Sequence, residues 1–186
     1  MANVFGVKKR NGDLVHIDND DIMVFDFPID TKELLKTLNE MKGTPYQDCR
    51  MNTQLDEWLI YRDPKSKYIS QLKSLFNLPS FPRFWKQEPG FYLEPHTDLN
   101  PAAINFVLTE DPAPINIEGH EYNYKAAVVN ILKYHSVQNN DNTRVLFRLT
   151  IEEPCTFEET KNRVKEVLDS GMHEYLQFQV RKKAED

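Results

Sequence analysis

Cysteine is scarce in this chain: two in 186 residues, Cys49 and Cys155, far apart and without CxxC spacing. That excludes a disulfide framework and a zinc ribbon, and a reducing cytoplasm is the expected setting. Glycine is sparse too, with six residues, none of them clustered into a phosphate-cradling loop. A nucleotide enzyme of that kind is excluded, and the absence of a Gly-x-Ser-x-Gly elbow removes the commonest serine hydrolase. No apolar run approaches about 18 residues and no signal-peptide stretch opens the chain, so a soluble protein without a membrane partner is expected. Basic excess is also lacking. A formal net charge of −6 with 28% charged residues makes a nucleic-acid backbone a poor partner. The short groups Lys8-Lys9-Arg10 and Arg181-Lys182-Lys183 read as solvated ends. Without repeats or linkers, residues 1–186 read as a single domain, long enough to bury roughly 70% of the surface its unfolded chain exposes. Nothing in the pattern speaks to oligomeric state.

What is present is a series of short β patterns with three helical ones around them. Asn11-Gly12 signals a hairpin between Val4 and Val15, with His16 in a local polar role, and Ile22 to Phe27 reads as a strand. Asp30-Thr31-Lys32-Glu33 resembles a capping box for a helix over 30–43 ended by Gly43. Asp63 and Pro64 open a second helix over 63–77, and Thr156 to Glu159 a third over 156–170, ended by Gly171. Between the first two helices, residues 44–57 are polar and read as a loop bordering a pocket, followed by a short Trp58–Tyr61 segment. The strand patterns continue through 80–151, where Ala102 to Thr109 and an Ile115 to Tyr124 hairpin tipped by His120 stand out. Helices that flank strands without alternating with them predict a mainly β fold with flanking helices, its barrel core at about 80–151.

Residues 91–151 hold the chemistry. Strand alternation brings His96 and Asp98 to one side, with Thr97 opposite. The β-branched run Ala126 to Leu132 leads to His135. Two histidines and a carboxylate are the facial triad of a non-haem Fe(II) site, with about three coordination positions left open. Asn139-Asn140-Asp141-Asn142 is turn chemistry, so the chain folds back as a hairpin. Pairing across that turn puts Arg144 and Arg148 on the His135 face, and arginines facing a barrel interior need an anion. A dicarboxylate that chelates iron at one end and meets Arg at the other satisfies both demands. Tyr92, four residues before His96, shares its face if the strand is straight; its hydroxyl either bonds the co-substrate or is satisfied within the barrel. Asn105 either donates to the same co-substrate or is an ordinary satisfied barrel amide. Arg83 can orient an acidic substrate, though an exposed Arg on an edge strand is the simpler explanation.

His96-Thr97-Asp98, then His135 after 36 intervening residues, then Arg144 nine residues on, resembles the Fe(II)/2-oxoglutarate-dependent oxygenase superfamily. Pro95-His96-Thr97-Asp98 is similar to prolyl-hydroxylase-like members, and the spacing of Arg144 and Arg148 to the taurine dioxygenase and nucleic-acid demethylase type. The resemblance implies a double-stranded β-helix, the cupin-like jelly-roll. It implies that His96, Asp98 and His135 bind Fe(II) and that Arg144 holds the distal carboxylate of 2-oxoglutarate, with Arg148 nearer the metal. Oxidative decarboxylation of that co-substrate by dioxygen would then drive hydroxylation of a small-molecule or peptide substrate, an amino-acid or peptidyl side chain by the prolyl-hydroxylase likeness. A carboxylate at position 98 speaks against halogenation, since halogenase relatives have a small residue there. Two other readings stay open: a non-catalytic cupin-like binding or interaction module, and a zinc hydrolase using the same three ligands.

Overall fold

A computed structural model describes residues 14–48, 53–110, 112–172, 174 and 176. Twelve strands and three helices follow in order among them. The first third holds β1 (Val15–Asp18), β2 (Ile22–Phe25), α1 (Thr31–Asn39), β3 (Thr44–Asp48), β4 (Thr53–Arg62) and α2 (Lys67–Phe76). The middle holds β5 (Ser80–Gln87), β6 (Tyr92–His96), β7 (Ala102–Val107), β8 (Ile115–Ile117) and β9 (His120–Tyr122). The remainder is β10 (Ala126–Val129), β11 (His135–Gln138), β12 (Arg144–Ile151) and α3 (Phe157–Asp169). The strands pair antiparallel into an eight-stranded sheet, β1-β2-β10-β7-β12-β5-β4-β3, and a four-stranded sheet, β6-β11-β8-β9. Among the described residues no ladder joins the two into a closed barrel.

Side chains of the large sheet alternate between two apolar layers. One face turns Phe84, Ile104, Phe106, Phe147 and Leu149 toward Leu34, Leu72 and Val164 of the helices. Each fully buried ring or branched chain there contributes about 2 kcal/mol by leaving water. The other face turns Trp58, Ile60, Trp85, Val107 and Leu146 toward Ile115, Ile117 and Val137 of the small sheet. Because β7, β10 and β12 are covered on both faces, they carry apolar residues at consecutive positions and not in alternation, interrupted by Asn105 in β7 and by Arg144, Arg148 and Thr150 in β12.

Helix ends follow local chemistry. Thr156 and Glu159 form a reciprocal capping box at α3, and Asp30 accepts from the Glu33 amide at α1. α2 starts later than expected. Ser66 caps it, because Asp63 adopts a left-handed φ of 54° and leaves Pro64 outside the helix. α1 likewise closes at Glu40, ahead of Gly43, whose added Cβ would lie 2.5 Å from the Tyr61 ring. Residues 44–57 are not a loop: their described parts form the edge strand β3 and the start of its neighbour β4, with the Tyr46 ring tilted against that of Trp58 at 4.5 Å. β5 is interior rather than an edge, so Arg83 sits mid-sheet. The Asn11-Gly12 hairpin and most of the element expected at 175–180 lie outside the described residues.

The largest departure concerns β11 and β12. They do not pair as a hairpin; β11 lies in the small sheet and β12 in the large one. The buried Asn139 amide donates to the carbonyls of Gln87, Glu88 and Asn142, and so draws the chain across from one sheet to the other. The Ala126–Leu132 run is divided in the same way, since β10 ends at Val129 and His135 opens a strand of the other sheet.

Candidate metal centre

His96 and His135 are a directly opposed pair at the ends of β6 and β11. Their ring centroids lie 4.3 Å apart. Asp98 stands just past β6 in a turn, held there by its amide donating to the Ile131 carbonyl at 2.8 Å. Its convergence with His96 therefore comes from that turn and not from strand alternation. His96 Nε2 is 3.8 Å from Asp98 Oδ1, and His135 Nε2 is 3.9 Å from Oδ2. All three ligand atoms fall within 4.8 Å of one another.

These residues fit a divalent ion. Each imidazole presents Nδ1 to the backbone carbonyl two residues earlier, His96 to Glu94 at 2.7 Å and His135 to Lys133 at 2.9 Å. A carbonyl only accepts, so Nδ1 carries the proton and Nε2 keeps its lone pair for a metal. Ligand atoms about 2.1 Å from one octahedral ion stand about 3 Å apart, so closing on it requires movements of about 1 Å. His135 is also ready in protonation. Burial, then the neighbouring His96 charge, push its pKa down from 6.5 to about 4 against the pull of Asp98. Lys133 is fixed in turn by Asp21, which also accepts from Tyr122 at 2.7 Å. Burial raises the Asp21 carboxyl, and these two bonds more than offset it, leaving it below the ordinary carboxylate value.

Behind the triad runs a polar chain. Arg148 Nη1 reaches Asp98 Oδ2 at 3.2 Å and its Nε donates to Asn105 Oδ1 at 3.0 Å. Asn105, fully buried, donates onward to the Tyr124 hydroxyl at 3.0 Å. Tyr124 also accepts from Arg144 Nη2 at 3.2 Å, while Arg144 Nη1 donates to Gln87 Oε1 at 3.2 Å. Arg144 is 4% exposed, its Nε has no partner, and among the described residues no carboxylate bridges it. Trp58, Trp85, Leu93, Val137 and Leu146 close the wall around this guanidinium. The enclosed space is about 20 Å³, room for about one water.

Of the residues singled out in the sequence, His96, Asp98, His135, Arg144, Arg148 and Asn105 are brought together. Tyr92 is not. A bulge in β6 pairs Leu93 with Val137, so Leu93 takes the His96 face and Tyr92 points the other way, 49% exposed. Gln87 and Tyr124 belong to the cluster without having been singled out. Gln87 ends β5 directly after Lys86 and Tyr124 lies between β9 and β10, so neither position carries a pattern that marks it out.

No protein-family model matches the chain, and no curated protein matches it. Solved structures do match. A 2OG-Fe(II) oxygenase family oxidoreductase from Burkholderia pseudomallei aligns with a TM-score of 0.52 at 10% identity, over 69% of this chain and 79% of that one. A Pseudomonas putida prolyl-4-hydroxylase gives 0.50 at 15% identity, over 66% and 84%. An oxalate decarboxylase, predicted as such, from Thermotoga maritima gives 0.42 at 12% identity, over 61% and 95%. Identities this low speak to the fold alone. The chain is a mainly β, antiparallel protein of the cupin-like jelly-roll kind, as its sequence pattern leads one to expect.

Proposed function

We propose that the protein is an Fe(II)- and 2-oxoglutarate-dependent oxygenase. The observation that carries this reading is a buried guanidinium without an anion, Arg144, in the same polar chain as a two-histidine, one-carboxylate cluster. A buried, unpaired cation is costly to keep and is retained where a ligand supplies the counter-charge. His96, Asp98 and His135 would hold the iron, and Arg144 would receive the distal carboxylate of 2-oxoglutarate. Iron with this co-substrate supplies oxidation of unactivated C–H bonds by dioxygen.

The remaining work belongs to this chain's side chains. Arg148 donates to Oδ2 of Asp98 and so orients the carboxylate, whose Oδ1 on the His96 side would be the oxygen offered to a metal. Asn105 orients Arg148, and Tyr124 links that pair to Arg144, so metal and anion ends are set by one hydrogen-bonded line. Trp58 is a wall of this space and Tyr46, on the edge strand β3, packs against it from outside, so the Trp58 wall is the one that would shift to admit a dicarboxylate. Closed again, that wall would keep water from the reacting centre. The substrate, an amino-acid or peptidyl side chain by the likeness noted in the sequence, approaches from the Trp58 side of His96, where the two rings lie 6.3 Å apart.

Anaerobic addition of Fe(II) and 2-oxoglutarate tests the proposal. A visible charge-transfer band, followed by succinate on admitting oxygen, is the expected result. No band and no succinate would leave a binding module. Hydrolytic turnover without oxygen, indifferent to Arg144, would point to a zinc enzyme.

A further inference from the structure

Three arginines stand in register across adjacent strands of the large sheet. Arg62 of β4 pairs with Arg83 of β5, Arg83 with Arg148 of β12, and Arg148 with Asn105 of β7. Directly paired residues share a face, and Arg148 and Asn105 fix this one as the face that carries the metal cluster. A cationic row therefore leaves the cluster and runs toward the β3–β4 edge of the sheet.

The members of the row differ in what they already hold. Arg148 is taken by Asp98 and Asn105. Arg62, exposed, donates to the Thr44 hydroxyl at 3.2 Å, its one side-chain hydrogen bond among the described residues. Arg83 is half-buried and lies over the Phe81 ring at 4.4 Å, which orients its fork without neutralising it. Among the described residues neither Arg62 nor Arg83 is in an ion pair; the field of Asp63 reaches Arg83 from outside bridging distance. Burial, then the charges of Arg62 and Arg148, draw the Arg83 pKa below the ordinary arginine value. Like charges set opposite one another across strands oppose folding. In a chain of formal net charge −6, such a row focuses an anion toward one cleft.

We infer that the substrate carries an oxyanion group, a carboxylate or a phosphate, which seats in the forks of Arg83 and Arg62 while the carbon to be oxidised lies at the metal cluster. This rests on the oxygenase reading for the second half of that sentence and on the arginine register for the first. With strands about 4.8 Å apart, Arg83 and Arg62 lie one and two strand spacings, roughly 5 and 10 Å, from Arg148. The anionic group is therefore remote from the reacting carbon, as in an extended small molecule or a short acidic side chain.

The test is titration of the full-length protein with inorganic phosphate and, separately, acetate, following the fluorescence of Trp58 and Trp85, the only two tryptophans. Saturable binding is expected, with Kd raised at least tenfold in Arg83→Gln and less in Arg62→Gln. Arg83→Lys, which keeps the charge and loses the fork, should recover part of the affinity. Whichever anion binds more tightly gives the substrate's class. Because the row repels itself, anion-free Arg83→Gln should melt at the same temperature as the parent or higher, and its Mn(II) affinity should be unchanged. Equal affinities in parent and Arg83→Gln, or no saturable binding of either anion, would overturn the inference while leaving metal binding intact. Anion binding that depends on Arg83 in a protein that takes up no Mn(II) would uphold it and sink the oxygenase reading.

Discussion

Arg144→Met separates what the guanidinium does for folding from what it does for binding. Methionine keeps much of the length and removes the charge. The change forfeits two hydrogen bonds, to Gln87 and Tyr124, together about 3–6 kcal/mol with a charged donor. Against that stands the cost of burying an uncompensated cation, several kcal/mol by itself. Tyr124 keeps its bond from Asn105, so the two contributions nearly cancel and the free protein should lose no more than about 2 kcal/mol. Co-substrate binding behaves differently, because truncating one side of a buried charge pair costs roughly 3 kcal/mol or about a hundredfold in Kd. At a concentration of 2-oxoglutarate one hundred times the parent Kd, the parent gains about 2.7 kcal/mol of stability and the variant about 0.4. For a chain of this size that is a melting shift of roughly 5–11 °C against about 1 °C. Differential scanning calorimetry of the Mn(II)-loaded protein, with and without 2-oxoglutarate, reads both quantities. An undiminished ligand-induced shift in Arg144→Met, or a free variant destabilised by more than about 4 kcal/mol, would refute the assignment of this guanidinium to an anion.

Asp98→Ala should abolish retention of Fe(II) or Mn(II) in equilibrium dialysis and leave Arg148 without its carboxylate, while His135→Gln keeps the fold and loses the metal. The metal-free protein should weaken in acid through His135. Its folded pKa is about 4 against 6.5, so the unfolded chain binds the proton first. The stabilisation is complete above pH 6.5 and fades toward pH 4, a loss of about 3 kcal/mol in urea midpoints if this group acts alone. Saturating Mn(II) should shift that loss to lower pH, since the proton and the metal compete for one nitrogen. Lys161→Met removes the buried ammonium that ties α3 to Asp18 and the Asn19 carbonyl. Because Lys165 also reaches Asp18 and the pair is partly solvated, a loss of only about 1–2 kcal/mol is expected by thermal unfolding.

The convergence of two imidazoles and a carboxylate was legible from residue types and their order, although strand alternation was the wrong reason: a turn places Asp98, and pairing of β11 with β6 brings His135 across from far along the chain. That Arg144 and Arg148 face the cluster was also legible, although the pairing behind the expectation was wrong. Even spacing puts residues four apart on one face whichever strands lie beside them, so the parity survived when β12 proved to pair with β5 and β7. The hairpin itself was not legible, since Asn139 spends its amide on carbonyls about fifty residues earlier in the chain. Tyr92 was lost to a bulge, a backbone event that nothing in FYLEPHTD announces. β3 and β4 were hidden for another reason. β3 is the sheet edge, and residues 53–55 at the start of β4 pair with it and not with β5; strands so placed gain less from burial than from pairing and tolerate polar sequences that read as loops. Gln87 and Tyr124 acquire meaning only across the sheet from Arg144, a relation between strands far apart in the chain.

The claim beneath all of this is that one metal ion sits among His96, Asp98 and His135. Crystals grown with Mn(II), measured above its absorption edge, test it most directly. A single anomalous peak about 2.0–2.2 Å from Nε2 of both histidines and from one Asp98 oxygen is the predicted result. An anomalous map empty at that position, or with its peak on other side chains, would contradict it.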